Sequence, residues 1–473
     1  MNVPIVRLFA LVILLFGLLV AFTSRWTVFE AQALRDQPAA QPRQLLAEER
    51  IRRGRILAAG GQALAASRRL KGERYARRYP AGPLFAHAVG YSFTREGRSG
   101  LERFHNDALI GRRNDFVGVF DSVFVKRRVG DDLRTTLSPR AQQVATDGLQ
   151  GRSGAVVALD VKTGAVRVMA STPSYDPNEI DSTGSAALNR APGSPLLNRA
   201  TQGTYPPGST FKVVTAAAAL DSGRYTAGSM VDGRNDKPIS GVPLQNFGGR
   251  EYGRIDLREA LTNSVNTVWA EVGVELGRET MTEYMERFGF YENPPLDYPD
   301  DQMLASGVRK GDRRRLVPPT STRVDLGRMA IGQGDLQASA LQMATVAQTI
   351  GNGGARLRPY LVDRVIDPDG RTISETEPEE VEQVMSEDAA AELTAMMRDV
   401  VSEGTGTAAA LAGVELAGKT GTAELNATDL NQPWFIGFTD EVAVAVTVER
   451  VQGGTGGTVA APIAKRVLEA LGQ

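Results

Sequence analysis

Cysteine is absent from the 473-residue chain. Disulfides, a thiol nucleophile and thiolate metal sites are thereby excluded. Histidine is nearly absent: His87 and His105, both in the first quarter, are the only two. A Ser-His-Asp hydrolase whose histidine follows its serine therefore has no base in the remaining three quarters. A serine activated there must rely on another group, and lysine is the leading candidate. Excess charge is lacking too, since 54 Lys and Arg against 55 Asp and Glu leave a formal net charge of −1. That balance gives no whole-chain argument for nucleic acid. Apolar material is plentiful, at 42% hydrophobic against 23% charged residues, enough for a sizeable core. A chain of this length holds about two or three domains.

Long apolar runs are also scarce. The one present is Leu8 to Phe22, extended by Ile5, Val6, Thr23 and Ser24, with Arg7 near enough to the end to snorkel. No small-x-small cleavage site follows, because Val20, Ala21, Phe22 and Thr23 fit poorly, so an uncleaved signal anchor over 1–24 is expected in place of a removed leader. Flanking charge does not set its orientation: Arg25, Arg35 and Arg43 follow the span while Arg7 precedes it, and a long following domain translocates regardless. Residues 25–45 read as a stalk. Between 41 and 80 the chain is basic, with eleven Lys and Arg against three Glu. This is either a solvated face or a contact with an anionic membrane surface or partner.

Two β-like runs, Gly154–Asp160 and Ala165–Ser171, flank a Lys162-Thr163-Gly164 turn. A second hairpin signal joins Trp434–Phe438 to Val442–Val448. Helix-compatible runs lie between them at Phe211–Leu220, Leu257–Val274, Ala340–Thr349 and Asp388–Val401. Strands at both ends with helices between predict an α+β domain whose sheet is closed by distant segments. The last run, Ala461–Leu471, reads as a helix packing back on that sheet.

The chemistry is concentrated in three short segments. In Pro206-Pro207-Gly208-Ser209-Thr210-Phe211-Lys212, the prolines and glycine stop whatever precedes and a good helix former follows. Ser209 then sits at a helix N-terminus with Lys212 on the same face. A lysine buried there beside another cation has a lowered pKa and can accept the serine proton. Taken alone, Ser-x-x-Lys is more often an ordinary N-cap serine with a surface lysine. Asn263-Ser264-Val265-Asn266 adds a hydroxyl suited to proton relay and an amide suited to holding a substrate amide. Gly418-Lys419-Thr420-Gly421-Thr422-Ala423-Glu424 brackets a Lys-Thr pair with glycines, which suits close backbone approach along an edge strand. Lys419 and Thr422 suit a carboxylate, and the Thr422 N–H can join that of Ser209 as an oxyanion hole.

The order Ser-x-x-Lys, Ser-x-Asn, Lys-Thr-Gly is the signature of penicillin-binding proteins and class A β-lactamases. The chain resembles the class B penicillin-binding proteins, and most closely the actinobacterial penicillin-binding protein A group. The likeness extends through Ser174–Asn178, Leu196–Arg199, Tyr205–Lys212, Ile331–Gly334, Leu341–Ala344, Asn352–Gly354, Gly404–Gly406, Lys419–Glu424 and Trp434–Phe438. Arg53–Ile56 and Gly100–Glu102 are similar to motifs of the family's non-catalytic pedestal, although Ala58-Ala59 stands where an Asp-Arg pair is usual.

The resemblance implies an N-terminal transmembrane helix (1–24), a stalk (25–45), a small pedestal (46–135) and a transpeptidase domain with a central antiparallel sheet flanked by helices (136–473). It implies that Lys212 deprotonates Ser209, which attacks the carbonyl between the terminal D-alanines of a peptidoglycan stem peptide. Ser264 and Lys419 would return a proton to the departing D-alanine. Asn266 would position the donor, with Thr420, Gly421 and Thr422 around its carboxylate. β-Lactams would imitate the donor, no cofactor or metal is called for, and the catalytic domain would lie outside the cytoplasmic membrane. With no glycosyltransferase domain recognisable here, a polytopic glycosyltransferase of the shape, elongation, division and sporulation class is the partner implied. Rival readings are a D,D-carboxypeptidase or β-lactamase on the same site, or an idle sensor or scaffold. No segment announces the deacylating base a β-lactamase needs, and a scaffold needs none of the polar residues above.

Overall fold

The computed structural model describes residues 3–25, 48–93, 95–112, 129–180, 184–310, 315–425 and 430–473. Apart from Arg25, the expected stalk lies outside these residues. Helix α1 (Val3–Ser24) contains a window, Val3–Val20, of mean hydropathy 2.8, none of it buried against protein. Its length and composition suffice to cross a bilayer.

A six-stranded sheet is built from β1 (Ile56–Leu57), β2 (Ala63–Arg69), β3 (Tyr75–Arg78) and β4 (Asp132–Thr135), joined by two strands from far along the chain, β7 (Val362–Ile366) and β8 (Thr372–Glu375). The order is β8-β7-β4-β1-β2-β3, with β1 and β4 parallel and the other pairs antiparallel. Under it lies a charge cluster. Glu102, fully buried, accepts from Arg53 at 2.8 Å and Arg77 at 2.5 Å, and Arg77 also donates to the Gly54 carbonyl at 2.7 Å. The Arg53-Gly54 and Gly100-Leu101-Glu102 segments thus meet through a desolvated ion triad. Burial is the largest single influence on the Glu102 pKa and raises it, but Arg77 and Arg53 together outweigh it and the pKa is lowered.

The second six-stranded sheet is antiparallel throughout, a short strand at Val451–Gln452 pairing off its main path. Its order is β9 (Ala417–Glu424), β10 (Leu430–Phe438), β11 (Val442–Val448), β5 (Gly154–Asp160) and β6 (Val166–Thr172). Both expected hairpins form. Strand β11 reads Val-Ala-Val-Ala-Val-Thr-Val without polar alternation because helices cover both faces. Val444 and Val446 pack with Ala141 and Leu149 of α2 (Pro139–Leu149) and with Ile463 and Val467 of α8 (Ala461–Ala470). Ala443 and Ala445 face the other layer, with Met343 and Ala347 of α6 (Ala340–Gly351) and Val213 of α3 (Lys212–Asp221). Helix α7 (Glu387–Ser402) packs beside β9.

One expected helix is two. The run Leu257–Val274 divides into α4 (Leu257–Thr262) and α5 (Asn266–Arg287). Ser264 takes a left-handed conformation (φ 59°), with Ser264 N donating to Leu261 O at 3.1 Å and Val265 N to Ala260 O at 2.9 Å. That pair of bonds is a Schellman closure, whose left-handed position is usually glycine. A serine there costs about 1 kcal/mol or more.

Candidate active site

Gly208–Phe211 forms a 3-10 turn that runs into α3. Three residues per turn superpose positions i and i+3, so Ser209 and Lys212 share a side. Several contacts fix this turn. Gly208 N donates to Gly332 O at 2.9 Å, Thr210 Oγ1 to Pro207 O at 2.7 Å, and the buried Trp434 Nε1 to Pro206 O at 2.9 Å. A Cβ on Gly332 would lie 1.9 Å from Gly208 O, and one on Gly421 would lie 2.7 Å from Pro207 O. Strand β9 therefore packs directly against the turn that carries Ser209.

Lys212 is fully buried. Its Nζ donates to Ser264 O at 2.7 Å and Asn266 Oδ1 at 2.7 Å, and lies 3.2 Å from Ser264 Oγ. The left-handed turn at Ser264 brings its carbonyl and hydroxyl to one amine. Asn266 is itself held, its Nδ2 donating to Gln245 O at 3.0 Å. Burial, and then the charge of Lys419, push the Lys212 pKa well below its ordinary value. Lys419, also fully buried, donates to Thr420 O at 3.0 Å, and burial lowers its pKa to about 7. The Ser209 hydroxyl is partly exposed and has no hydrogen-bond partner among the described residues.

On β9 the Thr420 hydroxyl meets that of Thr405 at 2.6 Å, and Thr422 Oγ1 accepts from Gly456 N at 3.1 Å. Strand β9 is an edge of its sheet, so one row of its backbone groups has no strand partner. Ser209, Ser264, Asn266 and Thr422 are partly exposed, above the two buried amines. Thr405, Gly332 and Trp434 were not among the candidate residues. Their signals lay in Gly404-Thr-Gly406, Ile331-Gly-Gln-Gly334 and Trp434–Phe438, legible as motifs but not as contacts to β9 or to the Ser209 turn.

A partly exposed serine over a buried, charge-depressed lysine, beside an edge strand carrying a second one, defines an active-site-serine acyltransferase architecture. Comparison with known proteins narrows this. The penicillin binding protein transpeptidase domain matches residues 154–469, and the penicillin binding protein A dimerisation domain matches residues 53–128. The peptidoglycan D,D-transpeptidase PbpA of Mycolicibacterium smegmatis is 38% identical, over 99% of both chains, and that of Mycobacterium tuberculosis is 36% identical over the same shares. Among solved structures, the ceftriaxone acyl-enzyme of penicillin-binding protein A from M. tuberculosis superposes with a TM-score of 0.81 and 35% identity, covering 90% of this chain and all of that one. The chain belongs to the penicillin-binding protein transpeptidase family.

Proposed function

We propose that this chain is a peptidoglycan D,D-transpeptidase that cross-links stem peptides through a Ser209 acyl-enzyme and is inhibited by β-lactams. The observation that carries the reading is the state of Lys212: buried, depressed in pKa, and bonded to two carbonyl-type oxygens at 2.7 Å. A neutral amine has two protons for those two oxygens, which leaves its lone pair free to take the Ser209 proton. The Ser209 oxygen then bonds to the carbonyl carbon between the two terminal D-alanines. The backbone N–H groups of Ser209 and Thr422 receive the developing oxyanion. As the C–N bond breaks, the proton passes from Lys212 to the departing D-alanine amine, with Ser264 as relay and Lys419 keeping the Lys212 proton labile. Asn266 aligns the donor backbone, while Thr420 and Thr422 bind its carboxylate with Gly421 admitting close approach. An amine of a second stem attacks the ester, forming the cross-link and returning the proton to Ser209.

The remaining parts of the reading concern placement. Residues 1–24 are a single-pass anchor, 25–45 a stalk, 46–135 a pedestal and 136–473 the catalytic domain. The catalytic domain lies outside the cytoplasmic membrane, where stem peptides are. A polytopic glycosyltransferase would supply the glycan strands, and co-purification from detergent without one would count against that partner.

The test uses the full chain in detergent with a synthetic stem pentapeptide ending in D-Ala-D-Ala and an amine acceptor, read by mass spectrometry. Release of D-alanine with a new amide to the acceptor is expected. Hydrolysed tetrapeptide alone would make the protein a carboxypeptidase, and no release would remove the reading.

A further inference from the structure

The basic character of 41–80 has no part in the chemistry above. Within it, Arg50, Arg68, Arg69, Lys71 and Arg78 are exposed, and none holds an ion pair among the described residues. They gather in one place. The antiparallel pairing of β2 with β3 sets Arg68 opposite Ala76 and Ala66 opposite Arg78, so Arg68 and Arg78 share a face. Arg69 projects from the other face and Lys71 stands at the turn. Glu49 O accepts from Tyr75 N at 2.7 Å, which lays the chain entering this body, with Arg50 next to it, along the same hairpin. The neighbouring acids offset part of this charge or are engaged: Glu73 is exposed at the same turn, Glu49 pairs with Arg74 of the hairpin at 3.7 Å, and Glu48 pairs with Arg98 and Arg53. The unpaired charge is therefore cationic and surrounds the tip of an edge hairpin.

Charge complementarity and chain length indicate what covers it. The described body begins at Glu48, and the 23 residues from 25 to 47 separate it from the end of α1. Fully drawn out, a segment of that length reaches at most about 75 Å. The hairpin beside the point of entry is thus tied to within that reach of the bilayer. A tethered cation cluster meets headgroups at high effective concentration. Each cation brought to an anionic surface strengthens the contact about fivefold, and the attraction fades within a Debye length of about 8 Å.

We infer that the β2–β3 hairpin docks on anionic lipid headgroups of the membrane that holds α1, fixing the height and tilt of the catalytic domain above it. The inference stands on surface charge and connectivity, so it survives or falls independently of the acyltransferase reading.

The absence of native cysteine permits a direct test. The full chain carrying Leu70→Cys is labelled with an environment-sensitive fluorophore and placed in nanodiscs of phosphatidylcholine, with or without about a third phosphatidylglycerol. Spin-labelled lipid then reads the proximity of the label. Quenching is expected to rise about fivefold or more in the anionic discs, and to fall back at high salt and in the variant R68Q/R69Q/K71Q/R78Q. Penicillin labelling of each variant checks its fold. The comparison of lipids is made on the unsubstituted patch and does not depend on the quadruple variant folding. Equal quenching in both lipids, or quenching indifferent to salt, overturns the inference and makes the patch a solvated face or a site for another polymer.

Discussion

Lys212 and Lys419 lie fully buried in one site, close enough for the charge of Lys419 to depress Lys212, and neither has a carboxylate partner among the described residues. Folding therefore works against both charges. In the unfolded chain each amine titrates near 10.5, while in the folded protein Lys419 titrates at about 7 and Lys212 well below 10.5. Across the interval between about 7 and 10.5 the unfolded state binds more protons. Stability therefore rises with pH through that interval and stops rising above it. Denaturant titrations at several pH values should show this slope, and Lys212→Met or Lys419→Met should each flatten it. A wild-type slope of zero would show that the amines are not desolvated.

Ser264 combines strain with a contact to the Lys212 amine at 3.2 Å. Ser264→Gly keeps the left-handed turn without its steric cost and removes the hydroxyl. Acylation by a β-lactam should slow by about two orders of magnitude, with stability changed by less than about 1 kcal/mol. Parallel loss of stability and acylation would make the residue structural only.

Gly332 has no room for a side chain, a Cβ there falling 1.9 Å from Gly208 O. Gly332→Ala must displace the turn that carries Ser209. A loss of about a hundredfold in acylation rate is expected from a shift of this kind, measured by stopped-flow with a chromogenic cephalosporin. Unchanged acylation would mean that the turn tolerates displacement.

Thr405 supports β9 through its 2.6 Å contact with the Thr420 hydroxyl. Thr405→Val leaves that hydroxyl without its partner, at a cost of about 1–3 kcal/mol if it stays buried. The effect should appear as weaker initial β-lactam binding, with the acylation step from the bound complex little changed. The reverse split would place Thr405 on the proton pathway.

Glu102 is the counter-charge to Arg53 and Arg77 inside the pedestal. Glu102→Gln leaves the buried Arg77 uncompensated and Arg53 with only the longer 3.8 Å contact to Glu48, and should cost about 3–5 kcal/mol in thermal or denaturant unfolding. Because the Glu102 pKa is depressed, its contribution is present above the ordinary carboxylate range and is lost as pH falls through the lower folded value. The variant should lack that acid-side loss.

Local pattern carried the hairpins, α6, α7 and α8, because alternation, turn residues and apolar periodicity act over a few residues. It also carried Ser209, Lys212, Ser264, Asn266 and the Lys419 strand, since each belongs to a short motif. Three features were not legible. The break between α4 and α5 depends on a serine adopting a glycine-like conformation, which helix propensity does not register. Strands β7 and β8 join the sheet of β1 to β4 across nearly half the chain, and pairing of that kind leaves no mark at either end. The contacts of Gly332 and Trp434 to the nucleophile turn, and of Thr405 to Thr420 on β9, are tertiary, visible only once the fold places these segments together.

The central claim is that Ser209, deprotonated by Lys212, forms the acyl-enzyme. The most direct measurement is intact-mass and peptide-mapping spectrometry of the full chain after incubation with benzylpenicillin, alongside Ser209→Ala and Lys212→Met. The account predicts one stoichiometric adduct on the peptide containing Ser209, absent in both variants and slowly released in the wild type. An adduct on another residue, or full labelling of Lys212→Met at the wild-type rate, would contradict it.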